Sequence, residues 1–460
     1  ALAVVAGQAA RVGPVRFAPP ISAPRAAALH LMDRNVEVAI TGVGLVTPLG
    51  DAFDAFTAAL LAGEAGTAPI RAFDATRFPV KNACEVRHFD AAERLPDALR
   101  AAVAGQDDRK TELALVAALA ALADHGEPSA QAGLTYATGL SSVSFAELGQ
   151  DCVPYVREDG TFDFGAFASA GTPPGAQSPA RHTVDRVLPL LSAHLGLRGP
   201  TACHFSACAA GTAAVGHAAD QVRRGEAPMM LAGGADSMVH PFGLLPFILL
   251  GATTTQIDPR HAGRPFDRDR DGFVMGEGAA FFVLEPLERA RAAGRRVYGV
   301  VRGWGSSTDA HNVTAPHPEG AGAERAMRAA LHDAGLGPDA VDYINAHGTG
   351  TALNDVIEAA AIRRLFGPSA PPVSSSKAQV GHAIAAAGVI ELLACLAAFA
   401  GARLPPTAHL EAVDPQIDLD LVGPAGRAGV PGVILSNSFG FGGQNACLAL
   451  THPDLGRSRP

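Results

Sequence analysis

The chain has 460 residues, 48% of them hydrophobic and 18% charged, with 51 Gly and 34 Pro. Length alone would allow about three domains, yet apolar segments recur with only short polar breaks, so one compact unit of two closely packed halves is expected. A formal net charge of -9 argues against a nucleic-acid partner, which would call for a basic surface.

Residues 1–31 carry no acidic side chain, three Arg and four Pro. They read as a leader ahead of Met32, disordered or not native; a transit peptide shares that basic, acid-poor character. Residues 36–42 (VEVAITG) form an apolar run ending in glycine, expected as a buried strand, with VGLVTPLG after it as loop. Phe53, Phe56 and Leu60 stand at helical spacing in a helix closed by Gly63. Residues 108–125 predict an Ala-rich helix stopped by Gly126, and 134–139 a strand. Residues 150–181, rich in Gly, Pro, Ser and Phe and without a period, read as a surface insertion. Helix is expected again over 182–195, despite Pro189.

A second αβ rhythm follows, with strands over 229–233, 280–284 and 296–302. Ala326, Met327, Ala330, Leu331 and Ala334 mark one helical face closed by Gly335. Residues 341–346 predict a strand running into HGTGT, after which Asn354 caps a helix over 355–366 with Glu358 nearby. The last strands are 432–437 and 446–450. Alternating strands and helices argue for layered α/β, and the continuous apolar runs for sheets covered on both faces. No stretch is read as reaching the roughly 18–20 apolar residues of a membrane span. Cys84, Cys152, Cys203, Cys208, Cys395 and Cys447 show no CxxC spacing, so neither a disulfide framework nor a zinc site is expected, and a reducing compartment fits.

Within TACHFSACAAGTAAVGHAADQVRRG (201–225), an apolar approach ends at Cys208 and enters a helix of small residues. A cysteine at a helix N-terminus is expected to have a lowered pKa, and the thiolate is the nucleophile. A free cysteine is otherwise a common inert core residue, which is the reading for Cys203, Cys395 and Cys447. NAHGTGT (345–351) puts His347 at a strand's C-terminal edge, with Thr349 and Thr351 alternating beyond it. SSSKAQVGHAIAAAG (374–388) carries Lys377 and His382. Two histidines and a thiolate suit polarisation of a carbonyl without a metal. In SNSFGFGGQN (436–445), glycines let the backbone approach a ligand, and its N–H groups can hold an oxyanion.

These motifs, in this order, resemble the β-ketoacyl-acyl carrier protein synthases of the thiolase superfamily, closest to the elongating type II fatty acid and polyketide branch. GRPFDRDRDGFVMGEGA (263–279) resembles that branch too, and the likeness spans roughly 36–451. It implies a five-layer αβαβα thiolase-like fold of two similar halves, 32–286 carrying the nucleophile and 287–460 the histidines. It implies decarboxylative Claisen condensation in the cytoplasm, with phosphopantetheine delivered on acyl carrier protein and no bound cofactor. Cys208 would carry the acyl group, and His347 and His382 would hold the malonyl carbonyl. Lys377 would organise His382 and the site electrostatics, and the N–H groups of Cys208 and Phe441 would form the oxyanion hole. Thr349 and Thr351 would bind the pantetheine arm, with Phe441 as a gate beside Phe439. Asn345, Glu391, Ser436 and Asn437 resemble positions that hold a structural monovalent cation in some members, although Glu391 reads better as a simple pairing partner in the core. A homodimer is implied, with a ketosynthase-like heterodimer as the other arrangement.

Several residues depart from the family pattern. Ala209 and Ala210 follow the cysteine where hydroxyl residues are commoner. Gln444 replaces a threonine, and FILLGATTT (247–255) lacks an arginine that many members carry near the carrier entrance. With the 150–181 segment, these favour specialised polyketide or polyene-type synthesis over housekeeping fatty acid elongation. A degradative thiolase would need a second reactive cysteine in a CxG loop, whereas Cys447 lies in an apolar strand. A starter-type synthase would lack the second histidine motif. A malonyl decarboxylase and a chain-length-determining subunit would both lack the cysteine.

Overall fold

The computed structural model describes residues 36–455 apart from 107, 127–128, 141–148, 150 and 171–182. The 1–31 leader, the start of the 182–195 helix and much of the 150–181 insertion therefore lie outside the described residues.

Among the described residues the main sheet has twelve strands, ten of them on one continuous path: β1 (Val38–Val46), β2 (Gly133–Ala137), β3 (Thr201–His204), β4 (Met230–Ser237), β5 (Met275–Pro286), β6 (Gly299–Thr308), β7 (Tyr343–Asn345), β8 (Val373–Ser374), β9 (Val433–Gly440) and β10 (Gln444–Thr451). Eight helices matter to the site: α1 (Phe53–Leu61), α2 (Arg109–His125), α3 (Val187–Leu195), α4 (Ala210–Arg223), α5 (Pro241–Leu249), α6 (Ala321–Ala334), α7 (Ala352–Phe366) and α8 (Ala387–Gly401).

The strand order is β8-β7-β9-β10-β6-β1-β5-β4-β2-β3. Outward from β1, the pairings with β5, β4, β2 and β3 are antiparallel, antiparallel, parallel and parallel. Outward from β6, those with β10, β9, β7 and β8 repeat that pattern. The chain thus draws the same half-sheet twice. Among the described residues the two pair strand to strand where Val38, Ala39 and Ile40 face Val301, Val300 and Gly299.

α4 and α8 pack on each other and lie between the half-sheets. α2 and α3 cover the outer face of the first half-sheet, and α6 and α7 that of the second. The result is five layers, αβαβα. Three apolar clusters fill the gaps: one around α8, one under α2, one under α6. Sheets buried on both faces explain the unbroken apolar runs.

Several boundaries differ from expectation, with physical reasons. β1 continues through VGLV because Gly42 and Gly44 let α2 approach: a Cβ on Gly44 would lie 2.0 Å from the Ala117 carbonyl oxygen. β4 likewise runs past Gly233, where a Cβ would meet the Phe281 ring at 2.3 Å. The α7 cap is Thr351, whose hydroxyl accepts from the Asn354 N–H, so Asn354 lies inside the first turn. Pro189 is tolerated because it sits in the first turn of α3. The reading that no segment is long and apolar enough to span a membrane is corrected. Ile384–Gly401 passes by length and composition over 18 residues, and it is 89% buried as the central layer.

Candidate active site

Cys208 ends the approach from β3 and sits in a single 3-10 turn, Ala207–Ala209, that leads into α4. Ala207 holds a positive φ of 46°, so the chain bends sharply and presents the thiol at the helix mouth. His347 follows β7, and His382 precedes α8 in a loop that forms a parallel bridge with Met275 of β5. The topology thus brings together one residue from the first half-sheet and two from the second. All three are buried, and their Sγ and ring nitrogen atoms lie within 4.8 Å of one another.

The hydrogen bonds fix both imidazole tautomers. His382 Nδ1 accepts the Ile384 N–H at 3.2 Å, so the ring proton is on Nε2, which points at Cys208 Sγ at 3.1 Å. His347 Nδ1 lies 3.1 Å from the Lys377 ammonium, a donor, so its proton is on Nε2 as well. Burial, with the Lys377 charge second, holds both histidines well below the usual imidazole range, so both are neutral. Both imidazoles are thus neutral Nε2–H donors; that of His382 meets the sulfur, and the His347 ring lies 5.3 Å from the His382 ring. Neither Nε2 is free to ligate a metal while Nδ1 is already taken by a donor, so this trio fits a cation poorly.

Lys377 hydrogen-bonds to His347 and acts on His382 through its charge. It bonds the His347 ring, the His347 carbonyl at 2.5 Å, and the Glu391 carboxylate, all buried. Burial pushes Glu391 upward and the Lys377 ammonium opposes it. The expected low thiol pKa is also absent: burial pushes Cys208 up to about 12, outweighing the Lys377 charge and the Phe441 N–H. The thiol rests protonated.

Two carboxylates that sequence reading did not assign shape the His347 loop. Glu358 accepts the N–H groups of His347 and Gly348 at 2.9 and 2.8 Å. Asp355 accepts those of Thr349, Gly350 and Phe266. Their signal was available: two acids one turn apart stand in helical register with Ile362 and Leu365, on the apolar face, where they need internal partners.

A cavity of about 280 Å3 opens over Cys208, His347 and His382, and Thr349, Thr351, Phe439 and Phe441 line it. The two threonine hydroxyls bond each other at 2.9 Å. Phe441 stacks on Phe247 of α5, with centroids 6.2 Å apart. A Cβ on Gly440 would lie 3.1 Å from the Cys208 nitrogen, so the glycine turn and the nucleophile's backbone are in contact.

The four cation candidates do not share one face. Asn345 bonds Ser436 at 3.4 Å, whereas Asn437 bonds Glu358 at 3.1 Å, as alternation along β9 requires. Glu391 is taken by Lys377. Asn345 Oδ1 and Asn437 Oδ1 are buried without a hydrogen-bond partner, so the oxygen donors fit a cation in part.

The profile described as "Beta-ketoacyl synthase, N-terminal domain" matches residues 35–290, and that described as "Beta-ketoacyl synthase, C-terminal domain" matches 298–411. The chain belongs to the β-ketoacyl synthase family. This β-ketoacyl synthase is 38% identical to the 3-oxoacyl-[acyl-carrier-protein] synthase 2 of Synechocystis sp., over 90% of this chain and 97% of the relative. It resembles the ishigamide ketosynthase/chain length factor with a TM-score of 0.78 and 32% identity, covering 90% of this chain and 99% of that one. A type II PKS acyl-carrier protein in complex with its ketosynthase bound to the hexaketide matches with a TM-score of 0.77, 26% identity and the same coverage. The family makes this synthase a condensing enzyme of the acyltransferase class.

Proposed function

We propose that this β-ketoacyl synthase joins an acyl group carried on Cys208 to a malonyl unit delivered on acyl carrier protein, with loss of CO2. One observation carries the reading: two neutral imidazoles, each an Nε2–H donor, line one cavity with a buried thiol that the His382 Nε2 meets. The Cys208 sulfur attacks the acyl thioester, and the arm sulfur leaves with the thiol proton. The N–H groups of Cys208 and Phe441 hold the intermediate oxyanion. The malonyl carbonyl then accepts from His347 and His382. The C–CO2 bond breaks, its electron pair becomes the enolate those donors stabilise, and the enolate carbon attacks the Cys208 thioester. The C–S bond breaks and the thiolate regains a proton.

Phosphopantetheine enters only on the carrier, past Thr349 and Thr351; Phe441, stacked on Phe247 at the cavity wall, is the gate beside Phe439. Lys377 sets the His347 tautomer and compensates Glu391. Of the monovalent-cation candidates, Asn345 and Ser436 share one face, with Asn345 Oδ1 as an unpartnered oxygen, whereas Asn437 faces Glu358 and Glu391 pairs with Lys377, so the four do not form one site. Six free cysteines support a cytoplasmic setting. A dimer is supported by β3, which ends the sheet, and by Phe205 beside it, exposed by half; we take a homodimer, the ketosynthase-like heterodimer being the other arrangement.

Specialised polyketide or polyene-type synthesis is supported by the likeness to the ishigamide and hexaketide-bound ketosynthases and by Ala209, Ala210 and Gln444. The names of the curated relatives favour housekeeping fatty acid elongation as the second reading. Intact-protein mass spectrometry against acyl carrier protein thioesters of graded length, unsaturation and hydroxylation distinguishes them. We expect a chain-selective mass gain, absent in Cys208→Ala and discharged by malonyl carrier protein. No gain with any donor, while malonyl carrier protein still loses CO2, would replace condensation by starter-unit decarboxylation.

A further inference from the structure

We propose that Asp236 is a positioning residue for His382: its carboxylate holds the 383–386 turn so that the Ile384 N–H stays on His382 Nδ1 and the Nε2–H stays aimed at Cys208. The inference rests on the reading that His382 acts as a donor in decarboxylation.

Asp236 lies near the end of β4 and is 1% exposed. One carboxylate oxygen accepts the Ser237 N–H at 2.9 Å and the other the Ala385 N–H at 3.1 Å. The second bond crosses between half-sheets, since β4 belongs to the first and the turn leads into α8. The turn opens with two amides that lack intrahelical partners. Ile384 N–H goes to the imidazole and Ala385 N–H to Asp236. Ile384 also holds a positive φ of 44°, which a β-branched residue adopts only where its surroundings impose it. The carboxylate itself has little freedom: a Cβ on Gly139 would lie 2.4 Å from it. Lys110 donates to the carbonyls of Gly139 and Leu140, and its charge favours an ionised Asp236. Burial pushes the group up to about 6, so it is a carboxylate at neutral pH and gains a proton just below.

Without that acceptor the turn is released from its strained φ. Nδ1 then loses its fixed donor, and the ring proton can move from Nε2 to Nδ1. Acylation of Cys208, which uses the sulfur and backbone N–H groups, should be spared, and enolate formation should not.

The test is Asp236→Asn and Asp236→Ala in the full chain, with the two half-reactions measured separately. We expect Cys208 acylation within about threefold of the unaltered enzyme and malonyl decarboxylation lower by roughly 10- to 100-fold, the worth of a hydrogen bond to a charged group. Asn should lose less than Ala, because its carbonyl still accepts one N–H. Decarboxylation by the unaltered enzyme should fall as pH drops through about 6, and this limb should vanish in Asp236→Asn. The charged and titratable groups around Asp236 are Lys110 on α2, Tyr136 on β2, Cys208 before α4, and the Glu277–Arg109 pair beside Ser237, with His382 reached through the 383–386 turn. Cys208 and His382 titrate far from that window. Nitrogen-15 spectra of labelled histidine should show His382 leaving the Nε2–H tautomer in Asp236→Ala. Equal loss of both half-reactions with that tautomer unchanged would reduce Asp236 to a structural role and overturn the inference. If the unaltered enzyme performs neither half-reaction, the condensing reading fails instead, and the tautomer still decides on Asp236.

Discussion

Lys377 is 3% exposed and bonds a ring nitrogen, a carbonyl and a carboxylate at once. Removing one partner of a buried ion pair leaves the other charge uncompensated, which costs about 3–5 kcal/mol, whereas replacing both with apolar groups is often neutral. Lys377→Met should therefore lower the unfolding free energy by about that amount in urea titrations, and Lys377→Met with Glu391→Leu should recover most of it. A double variant as unstable as the single would mean that Glu391 is compensated elsewhere. The motifs in the sequence singled out Lys377, Cys208 and both histidines, because each stands in an unusual small-residue or glycine context. Which imidazole the lysine touches was not legible, since residues 347, 377 and 382 meet only through a non-local fold. Asp236 was silent for the same reason: an acid after two glycines looks like a turn residue until Ala385 arrives from 149 positions away.

At the scale of elements, the contact of α4 with α8 and β6 depends on missing side chains. A Cβ on Gly388 would lie 2.2 Å from Thr212 Oγ1, and one on Gly216 would enter the Trp304 ring at 2.3 Å. The Trp304 indole is anchored by Asp220 at 2.8 Å and cannot easily yield. Gly216→Ala should destabilise by about 1–3 kcal/mol, the usual cost of overpacking, despite the better helix propensity of alanine. Thermal unfolding checks this, and an unchanged or raised midpoint would show that the indole moves. The same physics explains the misplaced ends of β1 and β4. Local rules take glycine as a terminator, but here Gly42, Gly44 and Gly233 stay extended and mark where a helix or ring presses on a strand. The helices were read more closely, because Gly126 and Gly335 do end α2 and α6.

For the whole molecule, periodicity announced layered α/β with covered sheets, and the layers bear that out. The repeated strand order was beyond it, since pairings such as β1 with β5 join residues more than 200 positions apart. β3 closes one end of the ten-strand order with Thr201 exposed and Phe205 beside it. An edge of this kind favours pairing with a second copy. Light scattering should report two chains per particle, and Phe205→Glu should shift the population toward one. A monodisperse single chain in the unaltered protein would refute the dimer.

The seam between the half-sheets is three residue pairs wide, while the reacting atoms are divided in sequence around it: the sulfur comes from the first half of the chain and both imidazoles from the second, with His382 laid back on Met275 of the first half-sheet. Neither portion owns a working centre. If the exposed turn near Gly294 were nicked, chemistry would return only when the pieces found each other again, and its rate would count reunited molecules. The reaction is thereby its own complementation assay, and any lesion that loosens the seam, however distant from the thiol, should be read out as lost turnover before it is seen as lost secondary structure.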